Sequence, residues 1–235
     1  MRTAKFGKLT IGDSPRVIGT ISTFASLQRF AASSNKPCDI AEIRLDEIGV
    51  ETKWVPESQR IEASGMPVIL TLRSVTEGGK SSLSNDQRLA VLRDTLDHVS
   101  AVDVELKSGL ASSLAPLTDK KNKGLLVSFH DFERTPDHAY LAQIIRDAAK
   151  VASVAKVSTM ARNTADTDTL KRLLGEDWGV PLCVIGMGNF GTFTRKDFPA
   201  LGSCLTYGYL DEPVAPGQLS ARALVDHLRP AKALL

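Results

Sequence analysis

Eight short apolar runs, each followed by a stretch with helical spacing, recur along the 235 residues. Consecutive parallel strands need a crossover of a dozen or more residues, usually a helix, so this alternation implies a parallel sheet covered by helices. The runs are Val17–Ser22, Asp39–Asp46, Val68–Arg73, Ala101–Leu106, Gly124–His130, Val154–Thr159, Pro181–Gly188 and Ser203–Tyr209. Helical patterns fall at Phe24–Ala32, beyond Pro56, and at Asn85–Val99, Gly109–Lys121 and Asp137–Ala149, the last opened by Pro136. Three more run from an N-cap at Asn163 to about Leu174, beyond Thr194, and over Ser220–Leu228. Eight repeats predict an α/β fold of the closed (β/α)8 TIM-barrel type, one domain over residues 1–235, with residues 2–11 as a small hairpin at its base. The runner-up is an open doubly wound sheet, but neither a GxGxxG after the first run nor a P-loop is present.

Composition narrows the function. With 43% hydrophobic and 24% charged residues and a net charge of +2, the chain reads as a globular protein with a sizeable core. The densest basic run, Asp119–Lys123, reads as a solvated helix end, and no basic stripe interleaved with aromatics points to nucleic acid. Cys38, Cys183 and Cys204 are scattered, odd in number and outside any CxxC spacing, which predicts reduced core thiols in a cytoplasm. The opening residues carry no apolar signal core, and no run approaches the ~20 apolar residues of a membrane span. The expectation is a cytoplasmic protein with no membrane partner.

A barrel gathers its chemistry at the C-terminal ends of its strands. The polar residues there are Glu42, Arg44 and Asp46 on run two, Arg73 and Glu77 after run three, Glu105 on run four and His130 on run five. Lys156 follows on run six, Arg195 beyond run seven and Gln218 beyond run eight. Lys156 stands out, because an ammonium loses hydration on a buried strand unless it is paired or becomes neutral. Burial and nearby cations lower a lysine's pKa and favour a free amine able to attack a ketone; a lysine snorkelling from a strand edge is the plainer reading. Each neighbour has a plain reading too: an ion-pair network for Glu42, Arg44 and Asp46, a structural role for Glu105, a helix cap for Arg195, a satisfied core imidazole for His130. His98, His138 and His227 lie on helix patterns and read as exposed. Gly186–Gly191 (GMGNFG) has the wrong spacing for a dinucleotide fingerprint, and reads as a loop passing close to a ligand.

Seven segments in order carry a resemblance: AEIRLDEI at Ala41–Ile48, TLRSVTEGGK at Thr71–Lys80, VDVEL at Val102–Leu106, SFHDFERTP at Ser128–Pro136, AKVSTMARNTAD at Ala155–Asp166, GMGNFGTFTR at Gly186–Arg195 and APGQLS at Ala215–Ser220. Over Val17 to Leu228 the chain resembles the type I 3-dehydroquinate dehydratases, the Schiff-base-forming hydro-lyases of the shikimate pathway of aromatic amino acid biosynthesis. The resemblance implies syn elimination of water from 3-dehydroquinate to give 3-dehydroshikimate. It implies Lys156 as the imine-forming lysine, His130 as the acid/base at C2 and at the C1 hydroxyl, and Glu77 as the group orienting His130. It implies Arg195 and Gln218 around the substrate carboxylate, and Glu42, Arg44 and Arg73 around the ring hydroxyls. It also implies a homodimer, with no metal or organic cofactor.

The chemistry agrees with that reading. A protonated imine is a better electron sink than a ketone, and a proton α to it is acidic enough for an imidazole. A guanidinium fork matches a carboxylate. One departure stands out: Val214 occupies a position where many members carry a serine that contacts substrate, and valine donates no hydrogen bond from its side chain. Two other readings stand beside it, an aldolase acting on a sugar phosphate, which a strand-six lysine also fits, and a non-catalytic metabolite-binding barrel. The first calls for a phosphate site beyond runs seven and eight, and the second for loss of Lys156 or His130, both of which are present.

Overall fold

The computed structural model describes residues 3–229. Residues 1, 2 and 230–235, including the first position of the expected hairpin, lie outside them. The hairpin is present as β1 (Ala4–Phe6) paired antiparallel with β2 (Leu9–Ile11). Eight parallel strands follow: β3 (Arg16–Ile21), β4 (Ile40–Arg44), β5 (Val68–Thr71), β6 (Ala101–Glu105), β7 (Gly124–Asp131), β8 (Val154–Met160), β9 (Leu182–Met187) and β10 (Leu205–Tyr209). A two-residue strand not anticipated from the sequence, β11 (Leu219–Ser220), joins β10 and makes the curled sheet nine-stranded. The seam between β9 and β10 is bridged by Cys204 N–H donating to Leu182 O at 2.9 Å and by Ser203 Oγ, which accepts from Val184 N at 3.0 Å.

The outer helices are α1 (Phe24–Ala32), α2 (Leu45–Ile48), α3 (Trp54–Ala63), α4 (Asn85–Thr95), α5 (Leu110–Lys120), α6 (His138–Ala149), α7 (Thr164–Leu173), α8 (Thr194–Asp197) and α9 (Ala221–Leu228). Side chains place several of the boundaries. Thr23, Ser84, Asp137, Asn163 and Ser220 cap α1, α4, α6, α7 and α9 by accepting from backbone N–H groups in the first turn. The expected second strand is shorter than Asp39–Asp46: the chain turns into α2 at Leu45, so Asp46 leaves the strand face shared by Glu42 and Arg44. The third strand likewise stops at Thr71, two residues before Arg73.

Strand alternation sorts the barrel into an outside and an inside. Outward residues such as Val68, Leu70, Val102, Val104, Val127 and Val157 pack against Leu92, Leu114, Leu141, Ile145 and Leu170 of the helices. Inward residues Ile18, Ile40, Ile69, Ala101, Leu126, Val154, Cys183 and Leu205 form an apolar floor, covered from below by Ala4, Phe6 and Ile11 of the hairpin. Gly124 is required there, because a Cβ would collide with the Phe6 ring. Each of the larger floor side chains contributes about 1.5–3 kcal/mol of burial free energy. One pleat further up the same strands, the inward positions become Thr20, Glu42, Thr71, Asp103, Ser128, Lys156 and Tyr207, every one of them buried. The apolar floor therefore presents a polar layer toward the C-terminal ends of the strands.

Candidate active site

Lys156 on β8 is 6% exposed, and its Nζ donates to Asp103 Oδ2 on β6 at 3.2 Å. Asp103 is shared: Oδ1 accepts from Arg73 Nη2 at 2.7 Å and from Ser128 Oγ at 2.6 Å. Burial works against the Asp103 charge, but the Arg73 and Lys156 cations prevail and hold its carboxyl well below the ordinary range. Arg73 also donates from Nη1 to Ser128 Oγ at 2.7 Å, so its fork is directed largely into this network. The Tyr207 ring covers the lysine nitrogen, with its centroid 4.1 Å from Nζ.

His130 on β7 and Glu77 form the second pair. Glu77 Oε2 lies 2.9 Å from His130 Nδ1 and accepts from the His130 backbone N–H at 3.0 Å. Burial, with the nearby Arg73 and Lys156 cations, pushes the imidazole well below 6.5, and burial raises the Glu77 carboxyl to about 7. Glu77 is carried by the loop between β5 and α4, which two carboxylates hold. Asp46 accepts from the backbone N–H groups of Arg73 at 3.2 Å and Lys80 at 3.1 Å, while Glu105 accepts from Ser74 N–H at 2.8 Å. Arg44 clamps Asp46 through Nε (2.9 Å) and Nη2 (2.7 Å), and Arg88 of α4 pairs with Glu105.

On the opposite wall, Glu42 accepts from Thr20 Oγ1 at 2.9 Å and Thr71 Oγ1 at 2.8 Å. Arg195, on α8, is 2% exposed. Its Nε donates to Gly217 O at 3.2 Å and its Nη1 to Tyr207 O at 3.1 Å, and among the described residues no carboxylate lies within 4.0 Å of it. Burial lowers this guanidinium to about 10. Gln218 reaches in from the loop after β10: Oε1 accepts from Val214 N–H at 2.8 Å and Nε2 donates to Thr20 Oγ1 at 3.4 Å. That loop rests on the β9–α8 loop, with Gly188 N–H donating to Pro216 O at 3.1 Å. Gly217, at φ +72, has room there only for hydrogen, since a Cβ would lie 2.6 Å from Gly188 O. Within the β9–α8 loop, Gly191 packs onto the backbone of Gly186. The close approach that these glycines allow is thus of backbone to backbone.

One pocket at the C-terminal end of the barrel is lined by all eight residues to which the resemblance assigns a role, Glu42, Arg44, Arg73, Glu77, His130, Lys156, Arg195 and Gln218. Asp46 and Glu105, also singled out from the sequence, hold the β5–α4 loop instead. Sequence reasoning missed Asp103 and Tyr207, although strand alternation puts Asp103 on the same inner face as Glu105. It also missed Arg88, which looks like any exposed helical arginine until α4 is packed. Of the other histidines, His138 pairs with Glu176 at 2.6 Å and His98 lies 3.1 Å from Gln59, so these two are half-buried rather than exposed. Among the described residues no group of three or more His, Cys, Asp or Glu side chains is arranged to hold a metal ion, and no helix is long and apolar enough to cross a membrane.

The fold and this pocket define a (β/α)8 barrel with a lysine-centred polar site at the C-terminal ends of its strands. Comparison with known proteins makes the assignment specific: the type I 3-dehydroquinase family model matches residues 17–234, and the chain belongs to that family. The 3-dehydroquinate dehydratase of Methanococcoides burtonii is 33% identical over 228 residues, covering 94% of this chain and 96% of its own. That of Methanothrix thermoacetophila is 34% identical over 222 residues, covering 92% of each. The crystal structure of the Geobacillus kaustophilus 3-dehydroquinate dehydratase superposes with a TM-score of 0.87 over 98% of both chains at 24% identity, a likeness of fold.

Proposed function

We propose that this chain is a 3-dehydroquinate dehydratase, a hydro-lyase of the shikimate pathway that works through an imine on Lys156. The observation that carries the mechanism is one pocket containing a buried lysine, a histidine–carboxylate pair and a buried arginine. Lys156 attacks the C3 ketone and forms the imine. His130, its Nδ1–H held by Glu77, uses Nε2 to take the C2 proton, and the electron pair runs into the iminium. The same imidazole returns the proton to the C1 hydroxyl as it leaves, and water then releases the product from Lys156.

Arg195 supplies a charge for the substrate carboxylate, and Gln218 covers it from the loop. Glu42, Arg44 and Arg73 bound the region of the ring hydroxyls, with Arg73 acting mainly by fixing Asp103. This chemistry calls on no cofactor. The reading extends to one barrel domain over the whole chain, a homodimer as in the family, and a cytoplasmic setting in which three buried free thiols stay reduced.

The test is mass spectrometry after incubation with 3-dehydroquinate and borohydride, with enone absorbance followed in parallel. An adduct on Lys156 together with product supports the reading, and an adduct without product points to a binding protein or a different ketone. Lys156→Ala should abolish both signals while the circular dichroism spectrum stays unchanged. Light scattering reads the dimer separately.

A further inference from the structure

Tyr207 on β10 is buried at 4% exposure, and its hydroxyl has no hydrogen-bond partner among the described residues. A buried phenol usually finds a partner for its O–H, and leaving it unpaired costs free energy. Its polar neighbours in the same layer are satisfied: Glu42 by two threonines, and Asp103 by Arg73, Ser128 and Lys156. The position of Tyr207 is fixed, because its backbone pairs with β3 and its carbonyl accepts from Arg195 Nη1 at 3.1 Å. Its ring centroid lies 4.1 Å from Lys156 Nζ, and the residue lines the pocket. Burial and the nearby Glu42 and Asp103 carboxylates push the phenol well above its ordinary value, so it stays protonated. The layer thus holds a buried donor without an acceptor, on a ring that lies against the amine and belongs to a residue lining the pocket.

We propose that the Tyr207 hydroxyl contacts substrate, donating to the ketone oxygen on the carbon that Lys156 attacks. The inference rests on the imine reading above and adds a residue to it. Lys156 reacts as the neutral amine, its ammonium having first released one proton to solvent. As its lone pair forms the C–N bond, the carbonyl π pair moves onto oxygen, and that oxygen takes the phenol proton. The phenol oxygen recovers a proton from the new C–NH2+ centre. A neutral carbinolamine results, the tyrosine ends as it began, and no other reactant is consumed. The bound ketone supplies the acceptor missing from the free protein.

The experiment compares the parent with Tyr207→Phe, which keeps the ring over Lys156 and removes only the hydroxyl. Lys156 adduct formation with 3-dehydroquinate is followed by rapid quench into borohydride in a single turnover. Loss of a donor aimed at a developing oxyanion slows a step by about 10²-fold, and a drop of that order is expected here. The thermal midpoint should be unchanged or higher, since the lost hydroxyl has no partner in the free protein. An adduct rate within twofold of the parent overturns the proposal, and so does a midpoint several degrees lower, which would make the hydroxyl a structural group. If the parent itself forms no adduct, the imine reading fails and takes this inference with it; if only the Tyr207→Phe comparison fails, the imine reading stands.

Discussion

Glu77 meets His130 through a single carboxylate oxygen, which accepts from the backbone N–H at 3.0 Å and lies 2.9 Å from Nδ1. An ionised carboxylate only accepts, so it fixes the proton on Nδ1 and leaves the Nε2 lone pair free to act as a base. His130 titrates well below 6.5, whereas Glu77 lies at about 7. The group that limits the acid side of the activity profile is therefore the pair's higher proton, carried mainly by Glu77. kcat/KM should rise tenfold per pH unit below about 7 and level off above it. Glu77→Gln should remove that limb; a limb persisting unchanged in the variant would assign it elsewhere.

The same carboxyl makes folding pH-dependent. Its folded value, about 7, lies above the ordinary 4.5, so between those values the native state binds more protons than the unfolded chain. The stability it contributes is complete below about 4.5 and is lost as pH rises through 7. Glu77→Gln should therefore raise the urea midpoint at pH 8 relative to the parent, and do so less at pH 5. Equal shifts at the two pH values would contradict the linkage.

Asp103 answers two cations, Arg73 at 2.7 Å and Lys156 at 3.2 Å, in a site closed to solvent. Removing its charge leaves Lys156 without an ion pair and Arg73 with only the more distant Glu105 carboxylate at 3.5 Å, and breaking a buried pair in this way costs about 3–5 kcal/mol. Asp103→Asn should lose stability of that order in chemical denaturation. A loss below about 1 kcal/mol, the range of surface pairs, would mean that solvent already shares these charges.

Arg195 spends its hydrogen bonds on two carbonyls, so its positive charge has no anionic partner among the described residues. A hydrogen bond to a charged group contributes about 1.5–3 kcal/mol, equivalent to roughly 10–150-fold in binding. Arg195→Gln should raise KM for 3-dehydroquinate by about that factor while kcat falls much less. Steady-state kinetics decides: a collapse of kcat at unchanged KM would place Arg195 in the chemical step.

The fold was legible because strand and helix alternate with little interruption, and because outward valines and leucines mark the helix-facing side of each strand. The site was legible wherever a charged residue broke an apolar run, as at Lys156 and at Glu42–Arg44. Asp103 breaks its run in the same way, but Val102 and Val104 on either side made AVDVEL read simply as a strand. Tyr207 was hidden by chemistry: an aromatic on a core strand satisfies the apolar pattern, and only the structure shows its hydroxyl without a partner. Arg88 gave no local signal, and Glu105, legible as a structural carboxylate, has a partner that depends on how α4 packs over β6.

At Val214 the chain departs from the serine that the resemblance implies, and the structure shows what the backbone does there instead. Its N–H donates to Gln218 Oε1 at 2.8 Å, which turns the Gln218 amide so that Nε2 faces Thr20. The backbone group is committed to holding the loop, while the valine side chain offers the pocket no donor. A serine here would keep the backbone bond and add a hydroxyl at the pocket wall. One neutral hydrogen bond contributes about 0.5–1.5 kcal/mol, so Val214→Ser should lower KM for 3-dehydroquinate by roughly 2–10-fold with little change in kcat. An unchanged or higher KM would show that the loop as built, with Gln218 held by the Val214 backbone, already fills the serine's place.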